Sequence, residues 1–192
     1  MGKDELDAYL QIQSIAFAHA AKQLKGRYPH QTLQLVVPKA FDDPIIIDDL
    51  MFLKNKGVLR YDPGLKVFPF ELDYDHPVRL VMYYRGSPIG FAFGNVNYEL
   101  NSIEILWMEK RNDAHEDLDY QFLSIVIDAY LAYAKVIGTM GIEVGQLALV
   151  GPIDGVIGYY QQSGFTFVSN YYKQCSAMVK RLVRPLELDL DS

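Results

Sequence analysis

The segment Val78 to Met108, VRLVMYYRGSPIGFAFGNVNYELNSIEILWM, reads as three strands joined by two tight turns. Val78 to Tyr84 is β-branched and aromatic, and Arg85-Gly86-Ser87-Pro88 is turn chemistry. Ile89 to Tyr98 alternates in bulk, Glu99-Leu100-Asn101 turns again, and Ser102 to Met108 forms the third strand. Links this short cannot cross over, so the three strands form an antiparallel meander.

Downstream, a polar stretch from Glu109 to Asp119 precedes a long helix from about Tyr120 to Ile137, with Gly138 placed to stop it. That helix is apolar on more than one face, which implies burial against a sheet and suits a second face for another copy of the chain. Gln146 to Val150 is a buried-type strand, and a helix-bearing connection implies that it runs parallel to its predecessor. Asp154 is placed to cap a short helix through Gln162, ended by Ser163-Gly164, before two last strands, Phe165 to Asn170 and Gln174 to Leu182. Upstream, Asp4 to Lys25 has helical spacing, with Asp4 able to cap it and Gly26 to end it. Thr32 to Val37 is a short strand, and Ile45 to Lys56, behind Asp42-Asp43-Pro44, suits a helix or a strand. The core order is β-β-β-α-β-α-β-β. The expected division is an N-terminal region, 1–77, packed on a core, 78–184, with an acidic tail, 185–192.

The chain has 192 residues, 50% hydrophobic and 22% charged, enough for one well-buried domain. No apolar run approaches the roughly 20 residues that a membrane span needs, and the acidic start shows no secretory signal. The single cysteine, Cys175, allows no internal disulfide and no cysteine-cluster metal site. It is expected to be a buried, inert thiol, and the cytoplasm is the expected compartment. No metal site is expected, because the four histidines are scattered and the acids around His115 match no ligand spacing. A net charge of −6, with one small basic cluster at Lys180, Arg181 and Arg184, argues against nucleic acid and favours cationic partners.

The element order, together with Gly158-Tyr159-Tyr160-Gln161-Gln162-Ser163-Gly164-Phe165, resembles the GNAT acetyltransferase superfamily. The resemblance implies an α/β fold with a mixed, mostly antiparallel central sheet flanked by helices. It also implies that two neighbouring strands splay apart near the middle of the sheet, here just past Trp107. Acetyl-CoA or another acyl-CoA is the implied co-substrate, with an amine as acceptor. Tyr160 then takes the place of the tyrosine that protonates the departing thiolate. Ser102-Ile103-Glu104-Ile105-Leu106-Trp107 is similar to the strand that carries a general base in the histone-acetyltransferase branch, which puts Glu104 in that role. The backbone of Leu106, Trp107 and Met108 would hold the pantetheine arm.

The family's phosphate-binding signature is absent. His115-Glu116-Asp117-Leu118-Asp119-Tyr120 stands in its place, with Leu118 and Tyr120 at both glycine positions. Side chains there obstruct a pyrophosphate, and each carboxylate repels it by on the order of 1 kcal/mol at a wet surface. Three readings follow: Lys110 and Arg111 meet the phosphates along another path, the donor is a protein-borne thioester, or the fold serves as a non-catalytic binding module.

Overall fold

The computed structural model describes residues 2–27, 32–38, 44–60 and 75–182. The Asp42-Asp43 pair, Arg184 and the acidic tail lie outside the described residues. Among the described residues, thirteen elements build one layered unit around a seven-stranded sheet. Helix α1 spans Lys3–Leu24, strand β1 Leu33–Val36 and helix α2 Pro44–Asn55. The meander follows as β2 (Pro77–Tyr84), β3 (Ser87–Asn97) and β4 (Ser102–Lys110). After a 3-10 turn at Glu116–Leu118 come α3 (Phe122–Thr139) and β5 (Gln146–Val150). A second 3-10 turn, Asp154–Val156, runs into α4 (Ile157–Gln162), and β6 (Thr166–Tyr172) and β7 (Cys175–Arg181) close the fold.

The sheet order is β1-β2-β3-β4-β5-β7-β6, and every pairing is antiparallel except β4 with β5. The crossover from β4 to β5 carries α3, which is why that pair is parallel. Helices α1 and α3 cover one face, joining Phe17, Tyr130 and Tyr133 to Leu80, Met82 and Ile103 in the main core. Helix α2 covers part of the other face, where Leu50 and Leu53 meet Val81, Phe91 and Phe93. Strand β2 is buried almost throughout because helices cover both its sides, so it reads as a continuous apolar run. Burying each large apolar side chain contributes about 1.5–3 kcal/mol.

Several local expectations are corrected. The Ile45-Ile46-Ile47 triplet is helical, because Ile46, Leu50 and Leu53 recur on the side that faces the sheet. Asp4 lies inside the first turn of α1 rather than capping it; Gly2 holds the cap position. Asp154 belongs to the 3-10 turn before α4 and caps nothing. Helix α3 continues past Gly138 to Thr139, and the left-handed residue that turns the chain is Gly141, at φ 89°. By length and composition α3 could cross a membrane, yet ten of its residues are buried, against the sheet and α1.

Candidate active site

Strands β4 and β5 separate two residues earlier than the sequence suggests. Their pairing ends at Ile105 opposite Leu149, although β4 runs on to Lys110. The cause is a bulge against β3: Phe93 faces Trp107 while Gly94 faces Ile105, which leaves Leu106 as the extra residue. A bulge bends its strand and raises the local twist, so β4 stays with β3 and leaves β5. Gly94 is required there, since a Cβ would stand 1.7 Å from the carbonyl oxygen of Glu104. The bulge also reverses the alternation of faces. Leu106 and Trp107 both pack toward the α2 side, and Met108 returns to the α3 side.

The gap is a slot of about 190 Å³, walled by Ile105 to Met108 on one side and Leu149 to Ile153 on the other, with Val156 and Tyr160 completing it. On the α3 side it meets a cavity of about 470 Å³ lined by Met108, Lys110, Leu118, Tyr120, Phe122, Tyr159 and Tyr160, among others. Met108, Val156 and Tyr160 belong to both. Burial pushes the Tyr160 phenol up, with its neighbour Tyr159 adding to this, so it is held protonated.

Leu118 and Tyr120, the residues at the two glycine positions, both line this cavity. Leu118 is fully buried in the main core. Tyr120 sits at φ 59°, the left-handed conformation a glycine would take there, and its side chain is 86% exposed. Of the acids, Asp117 is turned to the Tyr84 hydroxyl at 2.7 Å and Arg85 at 3.2 Å, whereas Asp119 lines the cavity itself, 3.7 Å from Lys110. The first turn of α3 holds no acidic residue, and no side chain caps its N-terminal amides. Arg111 is not in this cavity. Its guanidinium grips Asp113 at 2.5 and 2.9 Å and the Pro88 carbonyl at 3.1 Å, beside a separate cleft.

On the opposite side of the sheet lies a cavity of about 610 Å³, which shares Leu106 and Val150 with the slot. Glu104 forms its floor and is 6% exposed. Its Oε1 accepts from Asn97 Nδ2 at 2.9 Å and from the Tyr171 hydroxyl at 3.0 Å. Among the described residues, Oε2 has no hydrogen-bond partner. Burial pushes the carboxyl above its ordinary value, and the bonds from Tyr171 and Asn97 act in the other direction. Asp75, Tyr98, Glu99, Tyr172 and Lys173 line the same cavity. Tyr98 is fixed there by His76, whose Nδ1 lies 2.5 Å from its hydroxyl. Cys175 lies on the rim and is exposed, which overturns the buried thiol expected from its strand. Among the described residues no group of three metal-ligating side chains comes together.

Glu104, Leu106, Met108, Lys110 and Tyr160 therefore border three adjoining spaces that share walls, with Trp107 on the slot wall and Arg111 outside them. The sequence reading missed Tyr171, Asn97 and Tyr98. Asn97 stands across the β3–β4 turn from Glu104, but no local spacing ties Tyr171 or Tyr98 to it.

No family model and no curated protein matches the chain. Solved structures do. The chain is similar to the aminoglycoside 6'-N-acetyltransferase from Enterococcus faecium, at 13% identity and TM-score 0.52, covering 79% of this chain and 98% of that one. It is similar to an acetyltransferase from Streptococcus agalactiae 2603, at 11% identity and TM-score 0.52, covering 79% and 99%. A third match is the N-acetylglutamate synthase from Neisseria gonorrhoeae, whose structure holds coenzyme A and N-acetyl-glutamate. There the identity is 15% and the TM-score 0.47, and the chain spans 79% of itself but 35% of that longer protein. The fold is that of the GNAT acetyltransferases.

Proposed function

We propose that this chain is an N-acyltransferase that moves an acetyl or other acyl group from an acyl-CoA thioester to a primary amine. The observation that carries the reading is the passage itself: a slot between parted strands, with a phenol at one mouth and a buried carboxylate near the other. Edge groups of β4 around Leu106 to Met108 suit the amides of a pantetheine arm. The uncapped start of α3 and Lys110 suit a pyrophosphate, with the Tyr120 side chain at the edge of that space.

The chemistry assigned to the chain's own residues is short. An ammonium cannot attack a carbonyl until it gives up a proton, and Glu104 Oε2 is the free acceptor that faces the amine's cavity. Its raised proton affinity brings it nearer to that task. As the amine nitrogen bonds to the acyl carbon and the carbon–sulfur bond breaks, Tyr160 supplies the proton that the thiolate takes up, and the second nitrogen proton, shed as the amide forms, passes through water to restore the phenol. The carboxylates of Asp75, Glu99 and Glu104 outnumber Lys173 around this cavity, which favours a cationic acceptor.

The test is acetyl transfer from acetyl-CoA to a panel of primary amines, read as free thiol released, with Glu104→Gln beside the parent chain. A drop of about 100-fold or more in kcat is expected, the size general-base losses take. Full activity in Glu104→Gln removes the base.

A second reading has its own support. Lys110 is the one cation among the residues lining the α3-side cavity, and it is close to Asp119. That sparse positive charge suits a non-catalytic module of the same fold. Calorimetry separates the two, since a module without an acyl-CoA site shows no heat with acetyl-CoA.

A further inference from the structure

Strand β6 is irregular where it should pair simply with β7. Val168 faces Ala177 and Tyr172 faces Cys175, so Ser169, Asn170 and Tyr171 together stand opposite Ser176 alone. Irregularities of this kind re-aim side chains, and they concentrate beside functional sites. Here the excess carries the Tyr171 hydroxyl 67 residues back along the chain, onto β4. It lies 2.7 Å from the Ser102 hydroxyl and 3.0 Å from Glu104 Oε1. Ser102 is fully buried, and the Tyr171 ring is packed beside Ala148, Ala177 and Val179.

A tyrosine hydroxyl has one proton to give. The carboxylate is acceptor-only when ionised, so Tyr171 donates to Glu104 and takes the Ser102 proton as acceptor. The result is a directed chain, Ser102 to Tyr171 to Glu104 Oε1, in which each bond strengthens the next. Asn97 Nδ2 donates to the same oxygen from the other side. With Oε1 held twice, the carboxyl plane is fixed and Oε2 is left for the cavity.

We propose that Tyr171 is a positioning residue, delivered by the β6 irregularity, that holds Glu104 with Oε2 turned into the acceptor cavity. The inference rests on the reading of Glu104 as the base, and it adds a residue that acts through Glu104 rather than on substrate. Asn97 lies seven residues from Glu104 across the β3–β4 turn, so its contact follows from the meander alone. The Tyr171 contact does not, because it depends on a bulge in a strand three positions away in the sheet.

The experiment is a carbon-13 NMR titration of glutamate-labelled chain, with the Glu104 signal assigned by its loss in Glu104→Gln. A donor to a carboxylate favours the ionised form, so Tyr171→Phe is expected to move the Glu104 midpoint upward by about one pH unit, the size of a bond to a charged group. The acidic limb of the transfer rate should rise in pH by the same amount. An unmoved midpoint overturns the proposal. If Tyr171→Phe does not fold, Ser102→Ala takes its place. It removes only the donor to Tyr171, so a smaller upward shift is expected, and no shift is again the refuting result. The two readings fail separately: activity retained in Glu104→Gln removes the base, whereas a fixed midpoint in Tyr171→Phe removes only the role of Tyr171.

Discussion

His76 gives the structure a built-in sensitivity to acid. Its ring is fully buried, with Nδ1 2.5 Å from the Tyr98 hydroxyl, Nε2 2.7 Å from the Tyr133 hydroxyl, and the Tyr9 ring 4.1 Å away. Three tyrosines from α1, α3 and the β3–β4 turn therefore surround it, and among the described residues no carboxylate touches the ring. Burial lowers its pKa from 6.5 to about 4. A histidine that stays neutral when folded but takes a proton when unfolded favours folding at high pH. Its contribution is complete above pH 6.5, declines as the pH falls toward 4, and is gone below that. At 1.36 kcal/mol for each pH unit, the decline amounts to about 3 kcal/mol. Urea unfolding of the parent chain and of His76→Gln, from pH 7 to pH 4, isolates this part, because carboxylates common to both cancel in the difference. The parent is expected to lose about 3 kcal/mol more than the variant over that range. A difference that stays constant with pH refutes the reasoning.

Further predictions concern the passage. Gly94→Ala should cost about 3 kcal/mol or more in chemical denaturation, because the new Cβ meets backbone at the β3–β4 bulge rather than a side chain that can yield. Tyr120→Gly should leave stability unchanged or raise it by up to about 1 kcal/mol, since it relieves a left-handed non-glycine residue. It should also tighten acetyl-CoA in calorimetry; weaker binding would contradict the assignment of this loop to the phosphates. Tyr160→Phe should slow acetyl transfer by tenfold or more while far-UV circular dichroism stays the same, and an unchanged rate would take Tyr160 out of the chemistry.

Much of the architecture was readable because it is local. The meander from Val78 to Met108, the crossover helix and the Gly164 turn all announce themselves by periodicity and turn chemistry. What stayed hidden depends on register. Leu106-Trp107-Met108 is an unbroken apolar run, so nothing in it marks the bulge that turns two neighbours to one face and opens the slot at Ile105 rather than past Trp107. Nor do the letters say how Leu118 and Tyr120 are placed: the first is packed inside and the second largely exposed, and both line the α3-side cavity. The resemblance singles out Glu104 and Tyr160, but the Tyr171 partner of Glu104 was not legible. The hydroxyl of Tyr171 reaches it only through the irregular pairing of β6 with β7.

The cavity at the start of α3 and the cavity over Glu104 open on opposite sides of the sheet, and each shares walls with the slot between them. Donor and acceptor would then enter by separate doors, and neither need wait for the other to leave. Such a layout suits direct hand-over within a ternary complex, with intersecting rather than parallel double-reciprocal plots. It also suggests an inhibitor design: a single molecule that joins the two reactants through a short bridge would pass through the sheet and occupy both chambers at once.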